Sequence, residues 1–512
     1  MTRPIRLISG FLTVGVWTLL SKVLGFVRDV LIAATLGSGP AAQALLVAFA
    51  LPNMFRRFFA EGAFNTAFVP MFSKKIESGE GAENFAREAF SALASIVILV
   101  TLLAQIFMPV LVIAMASGFV GDERFDLTVS FGRIAFPYIL FISLAALLSG
   151  VLNAMGRFAM AAAAPVLLNI ILIAAIYVAI QLDADVARTI IWALPFAGIA
   201  QMTALWFAAR SAGIRIIPRW PRLSPEMKRL AIIAAPAALA GGVVQINLLV
   251  GRQVASYFDG AIAWLSYADR LYQLPLGVVG IAIGVVLLPD LSRKLRANDI
   301  LGGSHSLNRA AEFSLILTLP AAVAFMVIPL PLVSVLFERG AFSADDASAT
   351  ALAVAIYGAG LPAFVLAKVV SPIYFARENT RKPFHFALLS MLVNVVLAVG
   401  LTPWFGYLAA AIGTSVAAWI MLAQLVLGAR IYEGVAMDAR LKRAIPRIIL
   451  ACIMMGVVVF FAASSLGTYL ETAKIRYAAL GLLVVIAGIT YLAALLGLGA
   501  MRISDVKRAL RR

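Results

Sequence analysis

Apolar runs of about twenty residues recur from one end of this chain to the other, and nothing else in the sequence restricts the fold so sharply. As a helix, such a run matches the roughly 30 Å hydrocarbon core of a bilayer. A transmembrane barrel would instead show alternating segments of about ten residues, and none is present. With 62% hydrophobic and 13% charged residues and a mean hydropathy of +0.98, the polar side chains are too few to coat soluble domains. The expected class is an all-α polytopic membrane protein. With glycine, proline and charge clusters as punctuation, about fourteen helices fall near residues 7–36, 42–72, 88–117, 129–153, 159–181, 189–209, 230–257, 262–291, 310–337, 348–375, 384–402, 406–429, 446–467 and 477–500. Met1 to Arg6 and the apolar run behind them imitate a signal peptide. The run is too long and is interrupted by Lys22 and Arg28, so it reads as a retained first helix.

The net charge of +17 has a pattern. Lys74, Lys75 and Arg87 follow the second helix, Arg157 the fourth, and Arg210, Arg215, Arg219, Arg222, Lys228 and Arg229 the sixth. Arg293 and Lys294, then Arg377, Arg381 and Lys382, then Arg440, Lys442 and Arg443 continue the series on every other connection. The intervening loops carry acids such as Asp122, Glu123, Asp126, Asp183, Asp185, Asp259, Asp345 and Asp346. By the positive-inside rule both termini are expected in the cytoplasm, which requires an even number of spans. Positive charge spread along loop edges also argues against nucleic acid as a partner.

Comparing the chain with itself exposes a repeat. Pro70-Met71-Phe72-Ser73-Lys74-Lys75 returns as Pro289-Asp290-Leu291-Ser292-Arg293-Lys294, and Pro137, Arg157 and Asn169 return as Pro362, Lys382 and Asn394. The expected organisation is therefore a six-helix lobe over 1–212, a second over 213–440, and two added helices with a basic tail over 441–512. An even number of helices per repeat predicts a pseudo-twofold axis along the membrane normal, with a substrate site between the lobes.

About eight cations remain inside the expected spans, namely Lys22, Arg28, Arg56, Arg57, Arg133, Arg252, Arg270 and Lys368, against the acids Asp29, Glu61 and Asp269. Facing lipid, that set would cost on the order of 20 kcal/mol, so it must face a polar interior. Ser21, Gly25 and Arg28 share a stripe of the first helix, and Asn53, Arg57 and Glu61 share one of the second. Gln245 and Arg252 lie on the seventh, and Ser266, Asp269, Arg270, Gln273, Gly277, Gly280 and Gly284 on the eighth. Ion pairs that only lock helices are the alternative reading of each pair. Arg133 and Lys368 sit near enough to helix ends to snorkel. Arginine forks with a lysine suit a phosphate or pyrophosphate, so the expected ligand is anionic.

Three segments carry a family resemblance: Ser21-Lys22-Val23-Leu24-Gly25-Phe26-Val27-Arg28-Asp29, Leu51-Pro52-Asn53-Met54-Phe55-Arg56-Arg57-Phe58-Phe59-Ala60-Glu61-Gly62-Ala63-Phe64, and Tyr267-Ala268-Asp269-Arg270-Leu271. Together they closely resemble the MurJ (MviN) family of lipid II flippases, within the superfamily of multidrug, oligosaccharidyl-lipid and polysaccharide exporters. The resemblance implies two six-helix lobes, alternating access, and export of undecaprenyl-pyrophosphoryl disaccharide pentapeptide (lipid II) across the inner membrane for peptidoglycan synthesis. It also implies a polyprenyl groove at the last two helices, with membrane lipids and cell-wall synthesis proteins as further partners. Arg28, Asn53, Arg56, Arg57, Glu61, Asp269 and Arg270 match the family's cavity residues. Lys22 keeps the charge where an arginine is expected, and Gln43 replaces an expected aspartate. Arg252 joins the substrate-binding set from its stripe.

No cofactor is expected. His305, His385 and the lone Cys452 lack metal-ligand spacing, and no G-x-x-x-x-G-K-[ST] loop occurs, so an ion gradient or the membrane potential must drive transport. Three other readings remain: a flippase for another polyprenyl-linked glycan, a multidrug antiporter, and an enzyme using Asp183-Ala184-Asp185. An antiporter for cationic drugs calls for acids where these helices carry arginine. The Asp183 loop is expected on the periplasmic side, away from nucleotide sugars.

Overall fold

A computed structural model describes residues 5–56, 63–222, 224–282, 290–291, 293–294, 297, 299–377, 379–432 and 436–501. Every element among them is helical. In chain order they are α1 (Ile5–Leu36), α2 (Pro40–Arg56), α3 (Ala63–Ser78), α4 (Ala82–Ile106), α5 (Met108–Ala116), a 3-10 turn (Ser117–Phe119), α6 (Glu123–Ala135), α7 (Tyr138–Ala154), α8 (Phe158–Gln181), α9 (Val186–Ser211), α10 (Pro225–Ser256) and α11 (Ala261–Ala282). They continue as α12 (Ile300–Val327), α13 (Pro329–Phe337), α14 (Ala344–Val370), α15 (Pro372–Phe375), α16 (Arg381–Gly400), α17 (Thr402–Phe405), α18 (Leu408–Ala429), α19 (Ala439–Ser465), α20 (Gly467–Glu471) and α21 (Arg476–Gly497). Among the described residues nine helices are long and apolar enough to cross a membrane, and the bent pair α6 and α7 makes a tenth.

Some expected single helices are two. The run 88–117 breaks at Phe107, where Pro109 enters the first turn of α5, and 310–337 breaks at Ile328 before Pro329. Proline has no amide hydrogen for the preceding turn, so it restarts a helix more readily than it continues one. Pro137 stands at the 41° bend between α6 and α7.

By packing, the chain forms two compact units, Met1–Ala263 and Trp264–Arg512. Their boundary lies one helix beyond the lobe boundary expected at 212, because α10 packs on α3 and α5.

In the first unit α8 lies between α1 and α9, and α7 packs on α9. Phe68 stacks on Phe72 at 5.3 Å and on Phe85 at 5.4 Å, joining α3 to α4. In the second unit α14 lies between α12 and α18, and Tyr267, Phe337 and Phe342 form an aromatic knot. Helices α19 and α21 bury Ile448, Val459, Leu483 and Leu495 against α12, where Tyr491 donates to the Ile316 carbonyl at 2.7 Å. Below that seam the buried Glu312 of α12 accepts from Arg440 of α19 at 3.0 Å and pairs with Arg309, which also pairs with Asp438. The outward faces are apolar: Ile96, Leu99, Leu102 and Ile106 are exposed on α4, and Ile453, Val457, Phe460 and Phe461 on α19. Exposed apolar surface on that scale is what lipid contact requires.

Candidate functional site

In the first unit the expected stripe of α1 is built around Arg28, which is 6% exposed. Its Nε and Nη2 donate to Asp29 Oδ1 at 3.0 and 2.7 Å, and Nη1 donates to Asn169 Oδ1 at 2.9 Å. The guanidinium also lies 5.4 Å from the centre of the Phe49 ring. Asn169 in turn donates to the Ser21 carbonyl at 2.9 Å, so α8 fixes both the arginine and the turn of α1 that precedes it. Arg28 therefore brings its own carboxylate into the membrane, which removes most of the insertion cost of a bare charge. Lys22, half-buried on the same helix, has no ion-pair partner among the described residues.

On α2, Asn53 donates to the Phe49 carbonyl at 2.9 Å and accepts from Arg56 Nε at 3.3 Å, so an asparagine orients the arginine one turn on. Arg57 and Glu61 lie outside the described residues, as do Gly284 and the side chain of Gln245. Arg252 is half-buried in the last turns of α10. In the second unit Asp269 and Arg270 are half-buried neighbours on α11, and Asp269 accepts from Gln273 one turn later. Arg133 and Lys368 are exposed in the last turns of α6 and α14, Arg133 standing beside the bend between α6 and α7.

Sequence reasoning missed a second polar cluster in the first unit. Arg124, 7% exposed, pairs with Asp122 and, at 3.1 Å, with Asp259, donates to Gln43 Oε1 at 3.3 Å, and lies 4.5 Å from the Phe119 ring centre. Its hydrogen bond holds the Asp122 carboxyl below the usual carboxylate range. Beside it Gln253 of α10 accepts from Ser117 N at 2.9 Å and Ser117 Oγ at 2.6 Å, and Ser256 Oγ accepts from Gly118 N at 2.9 Å. Gln43 thus serves a neutral acceptor role where the resemblance expects an aspartate. The only sequence signal was one arginine among the acids Asp122, Glu123 and Asp126.

Two other expected features resolve simply. Asp185 caps α9 by accepting from Arg188 N at 3.0 Å, a structural use for the second acid of Asp183-Ala184-Asp185. Asp290 and Lys294, from the second copy of the repeat motif, pair at 2.7 Å, while Pro289 and Ser292 lie outside the described residues.

The sequence matches the family model described as lipid II flippase MurJ over residues 32–478. The chain belongs to the MurJ family. A curated relative from Rhizobium meliloti (strain 1021), named as a probable lipid II flippase MurJ, is 44% identical over 517 residues, covering 99% of this chain and 96% of the relative. A solved structure of a lipid II flippase MurJ in an inward closed conformation aligns with a TM-score of 0.78 at 24% identity, covering 98% of this chain and 99% of that one. An inward-facing multidrug resistance MATE transporter of the MOP superfamily aligns with a TM-score of 0.69 at 16% identity, over 80% of this chain and 94% of that one. At such identities the two structures establish the fold alone. The chain is thus a multi-pass membrane protein of a transporter family.

Proposed function

We propose that the chain is a lipid II flippase, moving undecaprenyl-pyrophosphoryl disaccharide pentapeptide from the cytoplasmic to the periplasmic leaflet of a bacterial inner membrane by alternating access. The full-length identity to relatives named for that activity carries the reading. In it, six-helix lobes over 1–212 and 213–440 enclose the substrate, both termini lie in the cytoplasm, and the helices after 441 offer the groove for the polyprenyl tail.

Lys22, Arg28, Asn53, Arg56, Arg57, Glu61, Arg252, Asp269 and Arg270 are the proposed substrate-binding set. The chemistry favours a pyrophosphate: guanidinium forks meet phosphate oxygens two at a time, and Lys22 adds a mobile charge. The acids and asparagines set the forks in place, as Asp29 does for Arg28. Moving negative charge out of a negative interior releases roughly 2.3 kcal/mol per charge per 100 mV, so the potential alone suffices as a driving force. Collapsing the potential in vesicles without an ion gradient is expected to halt translocation while leaving the protein folded.

The test is complementation of a flippase-depleted cell by Arg28→Ala, Arg57→Ala and Arg270→Ala, one at a time, with membrane abundance measured for each. Loss of growth at normal abundance is the expected result. Normal growth in all three would reduce these arginines to helix locks. Growth rescue by the parent chain, lipid II transport in its vesicles, and no drug efflux together separate the reading from an antiporter.

A further inference from the structure

The segment joining α9 to α10 is neither helix nor slack loop. Over 214–222 it runs without helix and is pinned on several sides. Trp206 of α9 donates to the Ile216 carbonyl at 2.9 Å, Arg87 of α4 to the Arg215 carbonyl at 2.7 Å, and the Arg219 amide to Ser91 Oγ of α4 at 2.9 Å. Just beyond, Ser224 donates to Glu88 at 2.6 Å and Lys75 pairs with Glu226 at 2.7 Å. Pro218 and Pro221 stiffen the same stretch. From this fixed backbone Trp220 stands 90% exposed and Ile217 56% exposed, with Arg215, Arg219 and Arg222 exposed beside them. A bulky indole in bulk water on a rigid strut has no structural use.

Helix α4 supplies a ruler for its depth. The Arg219 amide sits at the height of Ser91, and the exposed apolar belt of α4 begins at Ile96, roughly 7 Å further along the axis. That distance is about the thickness of the headgroup region. On α9, the residue after the Trp206 anchor is Phe207, itself 57% exposed. Both helices therefore hold Trp220 at the level of the headgroup layer, where tryptophan is enriched at membrane surfaces. The nearby acids Glu88 and Glu226 are engaged by Ser224 and Lys75, so the outward charge of the segment is arginine.

We propose that residues 215–222 form an interfacial anchor for anionic phospholipid, Trp220 and Ile217 entering the headgroup layer while Arg215, Arg219 and Arg222 bind the lipid phosphates. The occupant is a lipid surface and not a second copy of the chain, since an amphipathic strut level with the headgroups already faces one. Each engaged arginine enriches anionic over zwitterionic lipid roughly fivefold.

The test uses the full chain, one molecule per nanodisc, in mixed phosphatidylglycerol and phosphatidylcholine. Bromines near the glycerol are placed on one lipid or the other, and Trp220→Phe is subtracted from the parent to isolate the fluorescence of Trp220. The expected result is quenching several-fold stronger from brominated phosphatidylglycerol than from brominated phosphatidylcholine, with the preference lost in the Arg215→Gln, Arg219→Gln, Arg222→Gln triple variant. These residues are all exposed, so the fold is unaffected, and circular dichroism checks it. Equal quenching by both lipids, no quenching by either, or a preference that survives the triple variant overturns the proposal. Quenching that falls when two copies share a disc would identify a protein occupant and overturn it as well.

Discussion

Gly118 offers a measurable test of how the first unit holds α10. A Cβ on this residue would lie 2.5 Å from the carbonyl carbon of Ser256, and the obstacle is backbone, which no rotamer change removes. Restoring ordinary contact near 3.4 Å requires the turn to withdraw by about 1 Å. The three hydrogen bonds from Ser117 and Gly118 to Gln253 and Ser256 span 2.6 to 2.9 Å, and such a shift takes them past useful length. At about 0.5–1.5 kcal/mol net for each, Gly118→Ala should cost about 2–4 kcal/mol. The assay is thermal unfolding of the purified chain beside Gly488→Ala, whose added methyl meets open space on α21 and should be neutral or slightly stabilising. A drop of several degrees for Gly118→Ala alone is expected. If both variants melt with the parent, the close approach of turn and helix end is not what secures α10, and the reasoning fails.

Glu312→Gln should loosen α19 by about 2 kcal/mol, less than the full cost of a broken buried pair because Arg440 is half-exposed, and hydrogen exchange over Ala439–Ser465 should speed up roughly thirtyfold. Asn169→Asp gives Arg28 a second carboxylate to satisfy, so lipid II translocation should fall at least about tenfold at normal membrane abundance. Unchanged transport would count against Arg28 as a phosphate ligand. Asp122 titrates below its ordinary value, so its contribution is complete above the unfolded pKa and is lost as pH falls through the folded one. Thermal stability should decline on acidification beneath the carboxylate range, and the part due to this pair should vanish in Asp122→Asn.

The helical membrane class was legible because lipid tolerates so few alternatives, and apolar runs announce their own length. The breaks at Phe107 and Ile328 were not, because the apolar run continues through both and only Pro109 and Pro329 marked them. The pairing of Arg28 was obscured by a rule that is usually sound: successive residues on a helix diverge, so Asp29 did not read as its partner. The long guanidinium stem turns back to reach it. Asn169 is 141 positions from Arg28, and Gln253 is 136 from Ser117. Contacts across such separations leave no periodic trace in one sequence.

A guanidinium already joined to Asp29 is not an open trap for anions. Any phosphate that engages Arg28 has to displace an internal competitor that never diffuses away, and the competitor is ready to reclaim the site when the phosphate moves. Such an exchange weakens capture but shortens residence, and for a carrier, which must let go as reliably as it takes hold, prompt release matters as much as tight grip.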